Sequence, residues 1–214
     1  KPNEFLDNVE IFSSIDAVDN LVKCKGENFC SSGKGLFSFR AGMKLRKIFE
    51  FDNTISAMAF NEDRALLAVA LTTGEVFTTP LSKINLHKEF SDRCITSMVF
   101  VDNLLLYTKG SKKFLSNEWK HDLMSKVGTG SISVSSLDGN NPKVLATGLA
   151  WPSGISNFID GQICVSEAWE HRVCFYEFNR EKFALNLLEQ KLDKLPAYPG
   201  KLFFDLSKKQ VWVS

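Results

Sequence analysis

The segment Ser166-Glu167-Ala168-Trp169-Glu170-His171-Arg172 carries the densest chemistry in this 214-residue chain. Glu167 and His171 are the side-chain types that move protons in general acid–base catalysis. Arg172 can hold a substrate carboxylate or stay paired with Glu167. The same residues also read as a plain hairpin, with Glu167 and Arg172 as a cross-strand pair and Trp169 packed on a neighbouring sheet. Both readings stay open at the level of sequence.

A second set is scattered. Asp19 and Asn20, Thr54 to Ser56, Thr96 and Ser97, Pro152 to Gly154 and Tyr198 to Gly200 all stand at or just before the start of a strand-like apolar run. If those strands surround a common axis, the set converges on one mouth. Its carboxylate, amide and hydroxyl oxygens suit a polar small molecule or one hard cation. The competing expectation is that Asx and Ser/Thr side chains there satisfy local turn backbone.

Several chemistries are excluded. No glycine-rich phosphate loop, GxSxG elbow or HExxH pair occurs. Lys and Arg total 26 against 25 Asp and Glu, for a net charge of +1, and Lys112-Lys113 and Lys208-Lys209 are isolated. That balance argues against a nucleic-acid partner. No apolar run approaches the roughly 20 residues of a membrane-spanning helix. The five cysteines include no CxxC pair and only three His accompany them, so a structural zinc site is not expected. Cys24 and Cys30 could close a short loop, and Cys164 and Cys174 could face each other across a hairpin. Alternatively all five are small buried hydrophobes.

The elements that must position these residues are strands. Apolar runs of four to seven residues alternate with Gly, Asn, Asp and Ser, and helix signals are rare. The runs repeat as strand, polar turn, strand: Ile55–Phe60 then Leu66–Leu71, Ile95–Phe100 then Leu104–Tyr107, Ser153–Ser156 then Ile163–Ser166, and Leu202–Phe204 then Val211–Val213. Glu75–Thr79 and Arg172–Phe178 supply third strands. An earlier unit starts at Ala17–Val22. A propeller blade takes about 40–45 residues, so the expectation is an all-β propeller covering four to five blades as a single domain over residues 1–214. An insertion at 109–129 carries a short helix, with Ser116 as the cap of Asn117–Lys126. Trp119 and Leu123 share one face of it, either covering a sheet edge or forming a lid over the mouth. The chain begins Lys1-Pro2-Asn3 and ends on a strand-like run, so it is expected to be part of a longer polypeptide.

Four segments carry a family resemblance. They are Asn117-Glu118-Trp119-Lys120-His121-Asp122-Leu123-Met124 with Gly130-Ser131-Ile132, Gly148-Leu149-Ala150-Trp151-Pro152-Ser153-Gly154-Ile155, Val165 to Val173, and Leu195-Pro196-Ala197-Tyr198-Pro199-Gly200. Together they resemble the strictosidine synthase-like propellers, relatives of the gluconolactonase and senescence-marker-protein group and of paraoxonases. The resemblance implies a six-bladed propeller whose C-terminal part lies beyond this chain. It also implies a small-molecule enzyme with its pocket at the channel mouth, either a lactone or ester hydrolase or a lyase condensing an amine with an aldehyde. The buried glutamate of the plant synthases would lie on a later blade. The lactonase-type relatives hold a divalent cation, commonly calcium, partly through the amide of a Pro-Asn-Gly motif. Here that motif is Pro152-Ser153-Gly154, which leaves Asn20 as the metal-ligand candidate. The expected site is Asp19, Asn20, Ser153 and Tyr198 for the ligand, with Glu167 and His171 for acid–base work. The alternative is a non-catalytic propeller that binds a small ligand or a protein. It would show exposed aromatic surface and no converging acid–base pair.

Overall fold

The computed structural model describes residues 14–24, 26–137, 141–205 and 207–214. The chain divides into two compact units, one ending at Ile55 and the other running from Ser56 to Ser214. Among the described residues no helix is long and apolar enough to cross a membrane.

The first unit holds one antiparallel sheet in the order β1 (Asn20–Cys24), β2 (Glu27–Ser32), β3 (Gly35–Phe39), β4 (Arg46–Glu50). Phe29, Cys30 and Leu36 form its buried centre.

The second unit is a series of antiparallel sheets. Three have four strands in sequence order. They are β5 (Ile55–Asn61), β6 (Leu66–Leu71), β7 (Glu75–Pro80), β8 (His87–Ser91); then β9 (Ile95–Val101), β10 (Leu104–Lys109), β11 (Gly130–Ser135), β12 (Lys143–Leu149); then β13 (Pro152–Asn157), β14 (Gln162–Glu167), β15 (Arg172–Asn179), β16 (Ala184–Leu192). A two-stranded sheet, β17 (Leu202–Asp205) and β18 (Gln210–Val213), ends the chain.

The second strands β10 and β14 are apolar on both faces because their sheets pack a neighbour on either side. Leu67, Ala68, Val69 and Ala70 of β6 are all inaccessible to solvent. Between the first two sheets, small Ala57, Ala59, Ala68 and Ala70 meet large Met98, Phe100 and Tyr107. This pairing of small with large residues lets the two facing sheets interdigitate. Leu106, Ile132, Ile155, Val165, Tyr176 and Phe178 fill the next interface. Cys164, Val173 and Phe175 face the terminal hairpin through Leu202 and Val211. The first strands lie side by side, β9 against β13 and β13 against β17, whereas the outer strands β12 and β16 touch only sparingly. The sheets therefore fan outward from their first strands.

Gly154 and Gly130 each stand at a close approach that requires glycine. A Cβ on Gly154 would sit 2.4 Å from the Gly200 carbonyl oxygen, and one on Gly130 would sit 2.3 Å from Pro152 Cδ.

All five cysteines are buried. Cys164 stands opposite Phe175, and Cys174 opposite Val165. That one-residue offset turns the two thiols to opposite faces of the sheet, into different cores. No hairpin disulfide can form there.

The insertion folds as a 3-10 turn (Ser116–Glu118) running into α1 (Trp119–Ser125). The expected cap differs. The Glu118 carboxylate reaches back 2.9 Å to accept from the Leu115 N–H, and the Ser116 hydroxyl turns instead to Cys94 Sγ at 3.7 Å.

Candidate functional site

Glu167 ends β14, opposite Arg172 at the start of β15. It is 2% exposed. One carboxylate oxygen, Oε1, accepts from Arg172 Nε at 3.0 Å and Nη2 at 2.8 Å, and the Cys174 thiol lies 3.4 Å away. The other, Oε2, accepts from the Ala150 N–H at 2.8 Å. Every contact is a donor directed at the carboxylate, so both oxygens are committed. Partial burial works against the Arg172 charge, but the Glu167 carboxylate outweighs it and holds the guanidinium above its ordinary pKa. Burial, reinforced by Glu167, pushes the Cys174 thiol up to about 11.

His171 lies in the turn that follows, in the left-handed region at φ 50°. Its Nδ1 sits 3.2 Å from the Leu195 carbonyl oxygen. Only an N–H can pair with that oxygen, so Nδ1 carries a proton and the neutral ring keeps its lone pair on Nε2. Nε2 has no hydrogen-bond partner among the described residues. The ring packs 4.6 Å from Tyr198, centroid to centroid.

Tyr198 also meets Trp169 edge-on at 5.4 Å. Trp169 stacks on Trp151 at 5.4 Å and lies 6.0 Å from Trp119 of α1. Four loops therefore meet on one face: the insertion, the β12–β13 link, the β14–β15 turn and the approach to β17. Asp122 clamps them. Wholly buried on α1, it accepts from Trp169 Nε1 at 2.9 Å through one oxygen and from Thr129 Oγ1 at 3.4 Å through the other. The outer rings stay open, with Tyr198 52% and Trp119 40% exposed. This face can hold a flat or apolar small molecule against aromatic rings, with one basic nitrogen beside it.

Ser153 is committed elsewhere. Its hydroxyl donates to the Pro199 carbonyl oxygen at 2.6 Å and lies 3.1 Å from Ser166 Oγ, which donates to Gly200 O at 2.7 Å. The two serines sew β13 and β14 to the approach of β17. Lys201 continues the seam, donating to Ser56 O at 3.2 Å and to Thr96 O.

Asp19 and Asn20 belong to the first unit. Asp19 Oδ2 accepts from the Gly33 N–H at 2.9 Å and so closes a turn. Asn20 Nδ2 donates to Ser31 Oγ at 2.9 Å and to Ile55 O at 3.5 Å. Calcium takes six to eight oxygens, and among the described residues no three His, Cys, Asp or Glu side chains gather to hold a metal. The Asn20 amide oxygen alone does not make a cation site.

The structure thus brings Trp169, His171 and Tyr198 together and seals Glu167 and Ser153 into the framework. The sequence reading missed Asp122, Trp151 and Lys201. The helical position of Asp122, three residues after Trp119, was the one available signal, since both then face the same way.

No family model matches the chain, and no curated protein matches it. Among solved structures it is similar to the crystal structure of the computationally designed Ika8 protein, at 13% sequence identity and a TM-score of 0.60. The match covers 91% of this chain and 56% of that one, so this chain spans little more than half of the designed protein's length. At that identity the likeness concerns the fold alone: an all-β chain of successive four-stranded antiparallel sheets.

Proposed function

We propose that this chain is part of a strictosidine synthase-like six-bladed β-propeller and that it transforms a small molecule at the aromatic loop face. The fanned series of four-stranded sheets and the four motif segments support the family reading. The observation that carries the enzymatic reading is His171, whose Nδ1 is tied to Leu195 O while Nε2 stays unpartnered among the described residues, next to Trp169 and Tyr198. In a lactone or ester hydrolase, Nε2 would take the proton from the water attacking the carbonyl. In an amine–aldehyde condensation it would take the proton from the attacking amine. Glu167 has no part in either step, since both its oxygens are occupied.

A second reading, binding without turnover, is favoured by the exposed rings of Trp119 and Tyr198. One experiment separates the two. Aryl lactones, p-nitrophenyl esters and arylethylamine–aldehyde pairs are assayed with the wild type and with His171→Gln, while ligand binding is followed by Trp fluorescence. The enzymatic reading expects turnover that falls about 10²–10⁴-fold in the variant with binding retained. Fluorescence-detected binding with no turnover in the wild type establishes the binding reading instead. Turnover that is unchanged in the variant removes His171 from the mechanism.

A further inference from the structure

A cleft of about 380 Å³ opens between β12 and the β15–β16 pair, where the sheets fan apart. This volume is in the range of small-molecule sites. Leu149, Leu185 and Leu187 supply apolar surface, and Arg172, Tyr176 and Lys191 supply polar groups. Leu187 is 64% exposed, an unpartnered apolar side chain on the cleft.

The two cations on this cleft each face a carboxylate, Arg172 that of Glu167 and Lys191 that of Asp193, and what differs is how many donors each keeps. Glu167 also lines it, but its oxygens already accept from Arg172 and from Ala150 N. Arg172 spends Nε and Nη2 on that carboxylate and keeps Nη1 without a hydrogen bond among the described residues. Lys191 pairs at 2.8 Å with Asp193, but both side chains are about half exposed, so that pair is easily given up. The Tyr176 ring is buried, while its hydroxyl reaches the open space of the cleft and has no hydrogen-bond partner among the described residues. A guanidinium edge and a phenol, both with donors to spare on one cleft, can take up the two oxygens of a carboxylate.

We infer that this cleft binds a small amphipathic carboxylate, with its charged end on Arg172 Nη1 and the Tyr176 hydroxyl and its apolar body along Leu149, Leu185 and Leu187. The site is independent of the His171 face and does not rest on the enzymatic reading. Its size suits a medium-chain or aryl carboxylate free in solution rather than a two-chain lipid.

The test is calorimetric titration of the protein with decanoate and, in parallel, with decan-1-ol, both below micelle formation. Decanoate is expected to bind, and the uncharged alcohol about tenfold or more weakly. Tyr176→Phe keeps the ring packed and removes the hydroxyl, so it should weaken decanoate about tenfold with little change in the unfolding midpoint. Ala146→Trp, on the β12 wall, should fill the cleft and abolish binding. Lys191→Gln should weaken decanoate and leave decan-1-ol unchanged. Absence of decanoate binding up to its solubility limit would overturn the inference. Equal affinity for acid and alcohol, or decanoate binding untouched by both Tyr176→Phe and Ala146→Trp, would overturn it equally.

Discussion

Glu167 and His171 belong to one short stretch of chain, yet the two sites differ in almost every physical respect. Glu167 closes a strand. Its carboxylate meets the guanidinium of the facing strand and an N–H from the β12–β13 link, so both oxygens are taken. His171 sits in a left-handed turn, fixed through one nitrogen and open at the other, among rings that reach solvent. A residue that looks reactive by type becomes framework when every lone pair is taken. A neighbouring one becomes a reactive candidate because the fold pins its orientation and leaves one atom unused. The contrast also marks two kinds of cost. Loss of Glu167 orphans buried donors, whereas loss of His171 orphans one carbonyl at a partly open surface.

The largest effect should come from breaking the saturated corner. Glu167→Ala leaves the Arg172 guanidinium and the Ala150 N–H unpaired, at an expected cost of about 3 kcal/mol. Urea unfolding should show it, and a loss below about 1 kcal/mol would mean the corner is not a stabilising unit. Gly154→Ala forces a methyl against the Gly200 carbonyl oxygen. It should cost about 1–3 kcal/mol, read as a fall in Tm. Asp122→Ala removes the acceptor of Trp169 Nε1 and should cost about 1–3 kcal/mol. A shift of the Trp emission toward that of solvated indole should accompany it, and an unchanged spectrum would show that Asp122 does not hold the loop face together.

The thiols sharpen the comparison through pH. Burial, with the Glu167 carboxylate second, raises Cys174 from 9.0 to about 11, and burial raises Cys164 from 9.0 to about 12. A raised thiol pKa means the folded state holds the proton more tightly. Its stabilisation is complete below about pH 9 and is lost as pH rises through the folded values. Urea midpoints should therefore fall between pH 9 and 11, and Cys174→Ala should flatten that fall. The smallest effect on stability should be His171→Gln, within about 1 kcal/mol of wild type. A larger loss would place His171 in the framework alongside Glu167.

Much of the architecture was legible because strand patterning is local. Runs such as Leu66–Leu71 and Ile163–Ser166, each bounded by turn residues, announce strands before any partner is known, and β6 and β14 formed there. The insertion helix was legible from the spacing of Trp119 and Leu123, but its cap was not. Whether Glu118 or Ser116 satisfies the backbone depends on Cys94, which arrives from another loop. The cysteine spacing left a Cys164–Cys174 bridge open, and the register of β14 on β15 closed it by one residue.

The candidate site was half legible. Composition and spacing named Glu167, His171, Ser153 and Tyr198 and offered each a reactive and a structural role. They could not choose, because each choice rests on a distant partner: Ala150 N for Glu167, Leu195 O for His171, Pro199 O for Ser153, Trp169 for Tyr198. The sequence by itself determined the strands, the turns and the side chains on offer, since these follow from backbone preferences and apolar periodicity over a few residues. Only the tertiary structure decided which polar atoms are spent and which remain, because hydrogen-bond saturation and burial depend on groups brought together from far apart along the chain.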